Sequence, residues 1–218
     1  MIPSSHSDQK EEPIRFAGTE LPEDRHICAF FNTPDEEYRV LLSFIVEGLE
    51  RGEKAVHVVD PDLREYHLRR LASAGLDIAS LMKSGQLELL NWNEMYFPDG
   101  RFDESRMLAK WEAALDRAVQ EGYPRTRVIA HLDWWDKDVR KLLRYEAKFN
   151  LRLHRSRDPV ICTYDLAKHS GAFIIDVMRT HPMILIGGLL QKNPFYVPPE
   201  QFLRELDERG PAEEGPAF

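Results

Sequence analysis

The run HICAFFNTPDEEYRVLLSFIVEGLERGEKAVHVVD, from His26 to Asp60, places a strand, a tight turn, an amphipathic helix and a second strand in unbroken succession. Two apolar strands joined through a helix pair in parallel, so the segment is a βαβ unit and the chain an α/β protein. Thr33, Pro34 and Glu36 supply a capping signature with proline in the first helical position. Leu41, Leu42, Ile45, Val46 and Leu49 recur at helical spacing, and Gly52 stops the helix before the strand KAVHVV.

The rest of the chain repeats this alternation. Further strands are expected at LELL (Leu87 to Leu90), RVIAHL (Arg127 to Leu132), PVICT (Pro159 to Thr163) and MILI (Met183 to Ile186). Helices are expected over about 63–74, 104–121, 139–153 and 171–179, with a short turn near 78–83. The pattern predicts a three-layer α/β fold: a mostly parallel central sheet of five or six strands with helices on both faces. Residues 1–20 and 207–218 lack periodicity and are expected as flexible segments flanking one domain over 21–206. Gly187 and Gly188 allow a bend into NPFYVPP, read as a hairpin closing the sheet edge and, compatibly with that, as an aromatic flap over a pocket.

In open α/β sheets ligands bind beyond the carboxyl ends of the strands. The ends carry Asn32 and Thr33, Asp60, Trp92 and Asn93, Asp133 and Trp134, and Tyr164 and Asp165. Polar groups mixed with aromatic surface suit an apolar pocket with a few orienting contacts. The plainer reading is that each Asp or Asn merely caps the next helix. The predicted ligand-binding set is Phe30, Asn32, Thr33, Glu36, Asp60, Trp92, Asp133, Trp134 and Tyr164.

VIAHLD resembles the apolar strand whose terminal Asp holds magnesium in an ATPase. A phosphate-binding loop would then follow the first strand, with glycine-rich backbone and a lysine. The turn is instead Asn32-Thr33-Pro34-Asp35-Glu36-Glu37, whose carboxylates occupy the positive end of the helix and repel a triphosphate. ATP hydrolysis is disfavoured.

No other catalytic constellation is evident. There is no GxSxG elbow, and Glu36 and Glu37 point apart on a helix. Histidines at 26, 57, 131, 154, 169 and 181 show no HxxxH pairing, and Cys28 and Cys162 form no CxxC. His26 and Cys28 share one face of a strand and His131 and Cys162 lie on other strands, so a mixed His/Cys site could assemble in space, but no local spacing demands it. No catalytic residue, metal or cofactor is predicted. The cysteines read as buried thiols in a reducing compartment. A net charge of −8 argues against direct nucleic-acid binding. No apolar run reaches membrane-spanning length and no signal peptide is evident, so a cytoplasmic protein is expected.

Taken together, HICAFF through HVVD, the CTYD of Cys162 to Asp165, and HPMILIGG followed by NPFYVPP resemble the MEDS family, a sensory domain of methanogens, methylotrophs and the dichloromethane-responsive regulator. The resemblance spans about Arg25 to Leu203. It implies a degenerate relative of the RecA/KaiC-type ATPase fold that has lost its phosphate-binding loop. It further implies a non-catalytic sensor of a small apolar or weakly polar molecule, working with a histidine kinase or transcription regulator. This copy is expected to be freestanding and to signal through a partner or as a homo-oligomer. Two other readings stay open: a residual nucleotide-binding domain, and a structural protein whose sheet edge is an interface.

Overall fold

A computed structural model describes residues 13–23, 25–133, 139–153 and 158–209. The chain opens with a short antiparallel hairpin, β1 (Arg15–Phe16) and β2 (Thr19–Glu20). Then follow β3 (His26–Phe31), α1 (Pro34–Glu50), β4 (Lys54–Val59), α2 (Arg64–Ser73), α3 (Ile78–Ser84) and β5 (Leu87–Asn91). The second half runs α4 (Trp92–Tyr96), α5 (Glu104–Gln120), β6 (Thr126–His131), α6 (Val139–Leu153), β7 (Val160–Asp165) and α7 (Gly171–Thr180). It closes with β8 (Met183–Ile186), β9 (Leu189–Lys192) and α8 (Pro199–Glu208).

The main sheet has seven strands in the order β5-β4-β6-β7-β3-β8-β9. Six are mutually parallel, and β9 returns antiparallel to β8. The turn between β8 and β9 uses Gly187 and Gly188, both at positive φ, so this region is the edge hairpin. NPFYVPP leads on into α8, and neither Phe195 nor Tyr196 lines the cleft described below, so the aromatic flap is not formed.

Alternation along β3 divides the core. Cys28 and Phe30 face one layer with residues of α4 to α8, while Ile27, Ala29 and Phe31 face the other with α1 to α3. Every residue of β3 and β4 is buried, as expected of strands covered on both faces. The folded body reaches back beyond residue 21, because the first hairpin buries Ile14 and Phe16 against α1, with Phe16 4.9 Å from the Phe44 ring. At the other end α8 continues through Glu208 and buries Phe202 and Leu206. No helix among the described residues is long and apolar enough to cross a membrane.

One polar network crosses the lower edge of the second layer. Arg127 on β6 is held by Glu53, by the Phe44 carbonyl at 2.5 Å and by the Phe44 ring, 4.5 Å from the guanidinium carbon. Arg125 binds the other oxygen of Glu53 at 2.9 Å. A buried guanidinium of this kind requires such partners, since an unpaired charge would not be tolerated there.

Candidate functional site

The connection from β3 leaves onto one face of the sheet and that from β7 onto the other, which opens a crevice between their carboxyl ends. A cleft lies there, across the ends of β3, β4, β6 and β7. Its walls include Phe31, Thr33, Pro34, Glu37, Tyr38, Val59, Asp60, Leu63, Tyr66, His67, His131, Asp133, Tyr164, Asp165 and Lys168. The cavity measures about 50 Å³ as space open to the centre of a water-sized sphere. A single water needs about 10–15 Å³ on that measure, so the cleft has room for a few waters or a small molecule.

The helix start beside the cleft is self-capped. Thr33 Oγ1 accepts from the Glu36 backbone N–H at 3.2 Å, and Glu36 Oε2 accepts from the Asn32 backbone and side-chain amides at 2.9 and 3.1 Å. The Asn32 amides, backbone first, hold the exposed Glu36 carboxyl below its usual range. Asp35 accepts from the Tyr66 hydroxyl at 3.1 Å and from Arg70 at 2.7 Å. Glu37 alone turns inward. The three consecutive carboxylates therefore reach three different places, because successive helical positions lie about 100° apart.

His131, the last residue of β6, donates Nδ1–H to the Val58 carbonyl at 2.9 Å and Nε2–H to Glu37 Oε1 at 2.6 Å. Both partners are acceptors, so the ring carries both protons. Burial pushes its pKa down, but the Glu37 carboxylate and the Val58 carbonyl outweigh it and hold the value at about 9. Behind it, the Tyr38 hydroxyl meets His67 Nδ1 at 2.5 Å, and His67 Nε2 meets His57 Nδ1 at 2.9 Å. Burial, aided by the charge on His131, lowers His57 to about 3. Burial, then the neighbouring His57 and His131, puts His67 well below its usual value. One cationic and two neutral histidines stand side by side.

On the opposite wall Asp133 Oδ1 accepts from the Asp165 backbone N–H at 2.6 Å and lies 3.3 Å from His169 Nε2. Lys168 Nζ approaches Asp133 and Asp165 at 3.8 and 3.9 Å. Burial raises the Asp133 carboxyl, yet His169, the Asp165 amide and Lys168 together bring it below the usual range. Four carboxylates (Glu37, Asp60, Asp133, Asp165) thus face two cations, His131 and Lys168, between the aromatic rings of Phe31, Tyr38 and Tyr66.

The chain matches the family described as MEDS: MEthanogen/methylotroph, DcmR Sensory domain, over residues 25–182. It belongs to the MEDS family. A search among curated proteins finds no match. The matched span contains all of the cleft, from Phe31 to Lys168. Because MEDS is a family of sensory domains, a sensory role is the coarse function of this chain.

Of the residues expected to bind a ligand in this MEDS domain, Thr33, Asp60, Asp133 and Tyr164 line the cleft. Thr33 and Asp60 also cap, Asp60 Oδ1 accepting from the Asp62 backbone at 2.9 Å. Phe30, Asn32, Glu36 and Trp92 are not in its lining. Phe30 packs into the first core layer with its ring 5.7 Å from Tyr164, because alternation turns it away from Phe31. Asn32 and Glu36 satisfy each other, and Trp92 stacks edge-on against Phe97. Trp134 lies outside the described residues. The expected set omits Glu37, Tyr38, Tyr66, His67, His131, Asp165 and Lys168; the sequence signals were the strand-end positions of Asp165 and of His131, two residues before Asp133.

The residues weighed for a mixed metal site separate. His131 belongs to the cleft, and the Cys28 thiol reaches the Met183 carbonyl at 3.6 Å. His26 and Cys162 do come together, in a different cluster with Glu146 and His181 deep in the first layer.

Proposed function

We propose that this MEDS domain senses a small neutral or cationic molecule bound in the strand-end cleft, without catalysing a reaction on it. The observation that carries the reading is the composition of the walls: aromatic faces with an excess of carboxylate, around a cavity of only a few atoms' volume. Aromatic rings attract cations through their negative faces, and Asp60 and Asp165 add charge at the same rim. The groups best suited to chemistry are already committed. His131 is doubly protonated and tied to Glu37, and Asp133 is tied to a backbone amide. A sensory domain passes its state onward, and the reading assigns that step to a partner protein such as a histidine kinase or transcription regulator, or to a homo-oligomer.

The alternative is residual nucleotide binding in a RecA/KaiC-like framework. Asp133, two residues past the end of β6, favours it, and the carboxylates facing the cleft oppose it, since a triphosphate would meet four of them. Thermal unfolding of the full chain across a panel of small amines, alcohols, carboxylates and Mg-ATP tests both. Stabilisation by an amine or a neutral compound, lost on Tyr66→Ala, supports the sensor. A ligand at one hundred times its Kd adds about 2.7 kcal/mol, a shift easily read. Stabilisation by Mg-ATP alone, weakened by Asp133→Asn, overturns it.

A further inference from the structure

Away from the cleft, His26 at the start of β3, Glu146 on α6, Cys162 on β7 and His181 between α7 and β8 converge in a fully enclosed cluster. All four are buried, at 1, 0, 3 and 0% exposure. Their donor atoms lie within 4.8 Å of one another. His26 Nε2 and His181 Nε2 stand 3.3 and 3.4 Å from Glu146 Oε2. Cys162 Sγ stands 3.4 Å from His26 Nε2 and 3.8 Å from Glu146 Oε2.

The protonation of the two rings is set from outside the cluster. His181 Nδ1 lies 2.9 Å from the Val177 carbonyl, which can only accept, so Nδ1 carries the proton. His26 Nδ1 lies 3.0 Å from Asn150 Oδ1. The Asn150 amide is oriented by its Nδ2, which donates to the Thr180 and Glu146 carbonyls at 2.5 and 3.2 Å, so Oδ1 is the acceptor and His26 Nδ1 also donates. As neutral rings, both therefore aim an Nε2 lone pair at a carboxylate oxygen. Two lone pairs and an anion converging in a dry core repel unless something positive sits among them. His181 Nε2 and Glu146 Oε1 moreover have no hydrogen-bond partner among the described residues.

We propose that this cluster is a structural zinc site, with His26 Nε2, His181 Nε2, Cys162 Sγ and Glu146 Oε2 as four protein ligands. Metal–ligand distances of about 2.0–2.3 Å place tetrahedral ligand atoms about 3.3–3.8 Å apart, the range of the four separations above. Two imidazoles, a thiolate and a carboxylate are donors that zinc accepts in that geometry. Thiolate and carboxylate together cancel the two positive charges, so the filled site is neutral, as a dry interior requires. On binding, the sulfur–hydrogen bond of Cys162 is replaced by a sulfur–zinc bond and the proton leaves to solvent, with no redox change. The hydrogen bonds at the far ring nitrogens are those that orient histidine ligands. With no ligand position left over, the ion ties β3, β7, α6 and the α7–β8 link together and activates no water.

The test is metal content. The full chain is unfolded in denaturant with a chelator, refolded with zinc, passed over a desalting column and assayed by plasma mass spectrometry. One zinc per folded chain is expected, together with a higher melting temperature than the chelator-treated protein. Refolding with cobalt instead should give visible bands of tetrahedral intensity and a thiolate-to-cobalt charge-transfer band. Cys162→Ser removes the charge-transfer band while Cys28→Ser keeps it, and His181→Ala lowers zinc occupancy. A wild-type chain that refolds to native circular dichroism with less than a tenth of an equivalent of zinc overturns the proposal, whatever the variants do. A cobalt spectrum without the thiolate band also overturns it.

Discussion

His131 Nε2 and Glu37 Oε1 meet at 2.6 Å, 94 residues apart in the chain, and this pair joins the end of β6 to the first turn of α1. It also gives the fold a titration signature. The pKa of His131 is about 9 in the folded chain and about 6.5 when unfolded, so folding is favoured by extra proton binding. That contribution is complete below about pH 6.5 and is lost as pH rises through about 9. At 1.36 kcal/mol per pKa unit it amounts to on the order of 3 kcal/mol. Urea unfolding at intervals from pH 6.5 to 9.5 should show stability falling across this window. Glu37→Gln should lower stability at pH 6.5 and flatten the decline.

His57 has the opposite sign. Its folded pKa lies near 3 and its unfolded value near 6.5, so the unfolded chain takes up a proton first as the solution is acidified. Its stability contribution is present above pH 6.5 and drains away as pH falls below it. His67 is lowered in the same direction. Each such site adds about 1.4 kcal/mol per pH unit to the slope of the unfolding free energy below pH 6.5. Measured between pH 5 and 6.5, where few carboxylates titrate, that slope should fall by about one proton's worth in His57→Gln. Wild-type stability should therefore peak close to neutrality.

Much of the framework was legible because its signals are local. The β3–α1–β4 segment carries two short, continuously buried strands, a Thr33-Pro34 helix start and a glycine stop within 35 residues, and it folds as read. The first hairpin was not, since two-residue strands leave no periodicity and its turn places Ala17 at φ 47° beside Gly18. In the cleft, Thr33, Asp60, Asp133 and Tyr164 could be placed by the rule that strands present ligands at their carboxyl ends. Tyr38, Tyr66 and His67 come from helices, and their meeting with His131 depends on β4 lying beside β6, which no local pattern encodes. The same holds for Glu146 and His181, which reach His26 and Cys162 only once α6 and α7 dock.

Gly48, in the last turn of α1, is set by contact rather than by backbone conformation. A Cβ there would lie 2.4 Å from Arg127 Nε and 2.6 Å from its Cδ. Arg127 cannot withdraw without leaving Glu53 and the Phe44 carbonyl. Alanine ordinarily gains up to about 1 kcal/mol over glycine inside a helix. Here overpacking of about 1–3 kcal/mol should outweigh that gain, so Gly48→Ala is expected to destabilise the chain in chemical denaturation. Gly48→Ala combined with Arg127→Ala should not add the two separate losses, because the clash is removed with the guanidinium.

The charge balance of the cleft makes a signed prediction for any ligand the thermal panel identifies. Asp60 and Lys168 stand on the lining with opposite charge. At about 4 Å in a watery environment a unit charge is worth about 1 kcal/mol, roughly a fivefold change in affinity. For a cationic ligand, Asp60→Asn should weaken binding by about that factor and Lys168→Ala should tighten it. A neutral ligand should respond to neither and lose affinity only on Tyr66→Ala. Asparagine keeps the capping acceptor that Asp60 offers to Asp62, so the Asp60 variant should fold with little loss of stability. Isothermal titration of the three variants separates the cases. An affinity that rises on Asp60→Asn and falls on Lys168→Ala would identify the occupant as an anion and refute the reading of the cleft.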